Sequence, residues 1–68
     1  MIIYDKQVYT EVYFILNNLS EELKNKIPQE LKDFIADNAD ISYPYRIDEL
    51  LPESKALIAS ILEKYINI

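Results

Sequence analysis

The chain has no glycine, no cysteine, no histidine and no tryptophan. Without cysteine, no disulfide braces the fold and no thiolate holds a metal. Without histidine the commonest general base is missing, and with both residues gone so are the usual zinc ligands. Without glycine there is no phosphate-cradling loop. Any position that needs a positive φ must use another residue, and asparagine is the least strained substitute. Arg46 is the sole arginine and the net charge is −5, so there is no basic footprint to neutralise phosphates, and nucleic acid is not expected as a partner. No apolar run approaches the roughly 18 residues of a membrane span. The opening "MIIYDKQVYTEVYF" lacks a basic stretch followed by an apolar one, as a signal peptide would have. A cytoplasmic protein with no membrane partner is expected.

Half of the 68 residues are apolar, which suits one domain over residues 1–68 with one small core. A chain of this size buries only about 60% of the surface it exposes when unfolded. Packing must hold it, alone or with self-association. Helical periodicity supplies the elements. A first helix is predicted over residues 5–18, with Asp5 as its N-cap and Val8, Val12, Ile15, Leu16 and Leu19 as its apolar stripe. Ser20 caps a short helix, "EELKNK". Pro28 ends it and opens the next, which runs to Asn38 with Leu31, Phe34 and Ile35 on the buried side. Four of the five asparagines fall where helices should end.

The last helix is predicted from Pro52 to Ile66. Leu57, Ile58, Ile61, Leu62, Tyr65 and Ile66 cover roughly half of its circumference. So wide an arc suggests several neighbours and places this helix at the centre of the packing, with Leu31, Phe34, Leu57, Ile61 and Leu62 almost fully buried. Residues 39–51 form a connection too long for a tight turn. Its phrase "YPYRID" alternates Tyr43, Tyr45 and Ile47 with Pro44, Arg46 and Asp48. That pattern predicts an extended strap laid over the helices. The expected fold is all-α, a small three- to four-helix bundle with an extended strap between the last two helices.

"KIPQELKDFIADNAD", "YPYRID" and "SKALIASILEKYI" together resemble a group of small uncharacterised proteins of Gram-positive bacteria. The resemblance covers roughly residues 19–66, although "ELLPES" makes a shorter connection than that pattern has. It implies a helical domain and carries no activity, cofactor or site residue.

The chemistry available is sparse. Ser20, Ser42, Ser54 and Ser60 have no histidine to activate them. Carboxylates are plentiful, but a helical domain this small has little room for a substrate pocket of several hundred Å3. Asp33, Asp37 and Asp40 would form one acidic edge on a helix continued past Asn38. That edge could hold a weak cation or meet a basic partner, and it is equally an ordinary solvated face. As a calcium loop from Asp37 it fails, since Ala39 and Ile41 occupy ligand positions and the central glycine is missing.

The six tyrosines suit an interface, where a large ring with a polar tip is favoured, and equally suit the rim of a small core. Phe14 points roughly 145° from the stripe of the first helix, among Gln7, Thr10, Glu11 and Asn18. It calls for a cover, either the strap or a second copy of the chain.

The expected role is therefore a small acidic module that binds a protein partner as an adaptor or inhibitor. It is not expected to be an enzyme, and no cofactor, metal or small-molecule substrate is expected. The alternative is a self-assembling structural protein, a homodimer through the first helix. Candidate partner contacts are Phe14, Tyr9, Tyr13, Tyr43 and Tyr45.

Overall fold

The structure is a computed structural model and describes residues 4–40, 42 and 49–66. Its elements are α1 (Lys6–Asn17), α2 (Glu21–Lys24), α3 (Gln29–Asn38) and α4 (Pro52–Ile61), the last running into a π-helical turn (Leu62–Ile66). Among the described residues there is no strand, and the all-α bundle is as expected. None of these helices is long and apolar enough to cross a membrane. The strap reading of Tyr43, Tyr45 and Ile47 lies outside the described residues.

The centre of the bundle is α1, and this corrects the placement of the C-terminal helix. Residues 8–12 are buried without a break. Five residues exceed one helical turn, so this stretch is covered on every side. It packs against both α3 and α4. Val8, Tyr9, Val12 and Leu16 of α1 join Ile27, Ile35, Ile58, Ile61 and Ile66 in the core.

The apolar stripe of α1 understated its burial because two of the buried residues are polar. Thr10 and Glu11 have 0% and 1% of their surface exposed. Their hydrogen bonds make that burial tolerable. The Thr10 hydroxyl donates to the Lys6 carbonyl at 2.8 Å and accepts from the Asp40 N–H at 2.8 Å. Glu11 accepts from the Leu51 N–H at 3.1 Å, the Ser54 hydroxyl at 2.6 Å and the Gln7 side-chain amide at 3.1 Å. Two adjacent side chains of α1 thus fasten residue 40, where α3 has just ended, and residue 51, where α4 begins.

Helix ends follow local chemistry. Ser20 accepts from the Leu23 N–H at 3.3 Å, and Glu21 and Glu22 complement the dipole of α2. Asp5 occupies the N-cap of α1 but its side chain makes no capping hydrogen bond. The residues after α1, α2 and α3 are Asn18 (φ −86°), Asn25 (φ −69°) and Ala39 (φ −85°), so none of these stops uses the left-handed conformation. Asn38 serves α3 through its side chain instead, donating to the Phe34 carbonyl at 2.8 Å.

The predicted last helix changes pitch after Ile61. Five residues of α-helix would set Ile61 and Ile66 about 140° apart. Hydrogen bonding from i to i+5 brings them close to one line. Both are buried. Leu57, Leu62 and Leu31 are half-buried, short of the full burial expected of them.

Candidate functional site

Phe34 departs furthest from expectation. Expected in the core, it is instead 46% exposed, the exposed large apolar side chain among the described residues. Ile35 holds the buried centre of α3, and Phe34 lies about 100° from it around the helix. The Phe34 ring meets Tyr9 edge-on at 5.7 Å, and Tyr9 meets Tyr4 in the same manner at 5.9 Å. Since Tyr9 is buried, a core residue fixes the angle at which Phe34 enters water. Edge-to-face pairs of this kind contribute about 0.5–1.5 kcal/mol beyond area burial.

Glu30, Asp33 and Asp37 stand beside Phe34 and are exposed. At about 100° per residue they fall within roughly 60° of one another and form a single row along α3. Asp33 accepts from the Gln29 side-chain amide at 2.9 Å. Asp40 does not join the row. The helix stops at Asn38, Ala39 is extended, and Asp40 gives its N–H to Thr10. Its carboxylate takes the Ser42 hydroxyl at 2.6 Å and the Ser42 N–H at 3.1 Å. These bonds hold the Asp40 carboxyl below its ordinary range. The acidic edge predicted for Asp33, Asp37 and Asp40 is thus replaced by one of Glu30, Asp33 and Asp37. Among the described residues no three carboxylates gather closely enough to hold a metal ion.

A cleft of about 350 Å3 lies between α1, α2 and the flank of α3 away from Phe34, and Asp33 of the acidic row stands at its border. Leu16 and Ile35 contribute its apolar lining, with Tyr13, Gln29, Lys24 and Lys32 around them. Its volume reaches the lower end of the range for ligand sites, about 300–1,000 Å3, and so exceeds what the chain length suggested. Its cations are already engaged. Lys24 pairs with Glu21 at 3.0 Å, and Lys32 donates to the Lys24 carbonyl at 3.0 Å.

Two serines are bonded to carboxylates at 2.6 Å, Ser42 to Asp40 on the surface and Ser54 to Glu11 in the core. Ser54 is 0% exposed, so no substrate reaches its oxygen, and its pair with Glu11 serves the fold.

The candidate contacts named from sequence separate. Tyr9 is in the core, where its ring meets those of Phe34 and Tyr4. Tyr13 is half-buried at the cleft, its ring 5.5 Å from that of Phe14. Phe14 is half-buried because the polar side of α1 that it shares with Thr10 and Glu11 is itself covered. Tyr43 and Tyr45 lie outside the described residues. Phe34 was missed, although Glu30 one turn before it and Asn38 one turn after it mark the border of the apolar arc. Compared with protein families, curated proteins and solved structures, the chain matches none.

Proposed function

We propose that the chain is a small acidic, non-catalytic protein-interaction module, an adaptor or inhibitor, that works through the outer face of α3. The observation that carries this reading is the setting of Phe34. Its ring is nearly half exposed and is aimed by a buried tyrosine. A preoriented aromatic loses little side-chain freedom on docking, which is how a few anchors come to dominate an interface. Neither serine bonded to a carboxylate favours a catalytic reading, since Ser54 is sealed in the core and exposed Ser42 has no histidine to activate it. The resemblance to small uncharacterised proteins of Gram-positive bacteria adds a helical domain and no activity.

The test is affinity capture from the cells that make the protein, with the parent chain and Phe34→Ser side by side. A partner retained by the parent and lost by the variant, with the variant still folded at the temperature of the capture, is the expected result. Equal retention by both chains removes α3 from the proposal. Sedimentation velocity over a range of concentrations separates this reading from self-assembly, which predicts a mass that rises with concentration.

A further inference from the structure

We infer that the α3 face takes a cationic protein segment, one that presents lysine or arginine around an apolar pocket for Phe34, and not a second copy of this chain. This rests on the docking reading above and adds the chemistry of the occupant. Glu30, Asp33 and Asp37 form a row about 10 Å long at 1.5 Å rise per residue, and Phe34 stands along its side. All four are exposed. The cation of the same helix, Lys32, turns away and donates to the Lys24 carbonyl at 3.0 Å. Along α3 itself the apolar anchor is therefore bordered by charge of one sign.

The sign selects among occupants. A two-fold dimer through α3 would lay two acidic rows against each other. At a separation near the screening length of about 8 Å at physiological salt, the repulsion would be only partly screened. Docking any other surface of a second copy still joins two chains that each carry −5. Nucleic acid and anionic lipid are repelled for the same reason. A cationic segment is attracted, and the charged border would exclude water from around the Phe34 ring once it is seated.

Two experiments test this. The first titrates the full chain, labelled for amide NMR, with two synthetic helical peptides, one of lysine and leucine and one of glutamate and leucine. Only the lysine peptide should shift the amides of residues 30–38, with an affinity that falls as salt rises. Phe34→Ser should weaken it about tenfold or more. The Glu30→Gln, Asp33→Asn, Asp37→Asn triple variant should weaken it and flatten the salt dependence. Shifts centred elsewhere, or equal binding of the glutamate peptide, overturn the inference.

The second experiment places a photoreactive phenylalanine analogue at position 34 in the cells that make the protein, and the cross-linked segment is sequenced. A segment rich in lysine or arginine supports the inference. A neutral or acidic segment of another protein overturns it and leaves the docking reading standing. A second copy of the chain overturns it in favour of self-assembly. No cross-link to any protein removes both.

Discussion

Glu11 lies 2.6 Å from the Ser54 hydroxyl oxygen, 43 residues further along the chain, and both side chains are buried. The same carboxylate oxygen accepts the Leu51 N–H at 3.1 Å. Leu51 is the N-cap of α4 and Pro52 its first residue, and α4 has no capping side chain of its own. In a local capping box a glutamate three residues into the helix reaches back to the N-cap N–H. Here that third residue is Ser54, and Glu11 of α1 supplies the carboxylate from across the bundle. A negative charge at this end also suits the helix dipole.

Removing this cap leaves buried donors without an acceptor. Glu11→Ala should cost about 3–5 kcal/mol, the loss expected when one partner of a buried charged network is deleted. Ser54→Ala, which deletes a single donor to a charged acceptor, should cost about 1.5–3 kcal/mol. Urea unfolding measures both. If Glu11→Ala unfolds at the parent's urea midpoint, α4 does not depend on the carboxylate.

The cap has a pH signature. Burial raises the pKa of Glu11, but the hydrogen bonds from Ser54, Leu51 and Gln7 outweigh it and hold the carboxyl below its ordinary 4.5. The unfolded chain therefore takes up the proton first as pH falls. Stabilisation from this group is complete above about 4.5 and disappears as pH drops through the lower folded-state value. Asp40 acts in the same sense, since the Ser42 hydroxyl and N–H lower its carboxyl against the opposing effect of burial, with help from Lys6. Glu11→Gln should thus lose less stability than the parent between about pH 7 and pH 3, keeping the part due to Asp40. Parallel stability curves for the two chains would contradict this.

The helices were legible in the sequence because their signals are local. Ser20, Pro28 and Pro52 mark boundaries within a residue or so of where they fall. The hierarchy of packing was not legible. Thr10 and Glu11 read as solvent-facing by hydropathy, and their burial depends on partners 30 and 40 or more residues away that no local window contains. That hid the central position of α1, left Phe14 looking exposed, and credited the C-terminal helix with the centre. Phe34 failed for the converse reason. An aromatic at the border of an apolar arc goes in or out according to what the neighbouring helix offers, and here Tyr9 of α1 meets the ring while nearly half of Phe34 stays exposed.

Burial predicts unequal losses for two neighbours on α3. Ile35→Ala removes a core side chain that is 2% exposed and should cost about 2–5 kcal/mol. Phe34→Ala forfeits the ring pair with Tyr9 and the burial of about half of its surface, and should cost less, about 1–3 kcal/mol. Thermal unfolding of the two variants decides the matter, and a larger loss for Phe34→Ala would return that side chain to the core.

Thr10 isolates the other fastening. Thr10→Val keeps the shape but leaves the Asp40 N–H without its acceptor, at a cost of about 1–3 kcal/mol. Thr10→Ser restores the hydroxyl and should recover most of that. Hydrogen exchange at the Asp40 amide should speed up in the valine variant and return towards the parent rate with serine. An Asp40 amide that exchanges equally fast in all three chains would show that Thr10 does not hold residue 40.

The π-helical turn makes a prediction about length. Ile61 and Ile66 are both buried and five residues apart, and the wider turn is what brings them onto one face. Deleting Glu63, an exposed residue in that turn, reduces the spacing to four. An ordinary α-helix sets residues four apart within about 40° of each other, so Ile66 can stay in the core while the helix regains its regular hydrogen bonds. The deletion should leave the thermal midpoint near the parent value. Inserting one alanine after Glu63 makes the spacing six, which an α-helix sets about 120° apart. That variant should lose about 2–5 kcal/mol, as though Ile66 had been cut to alanine. If the deletion is as damaging as the insertion, the wide turn is required for more than the alignment of Ile61 with Ile66.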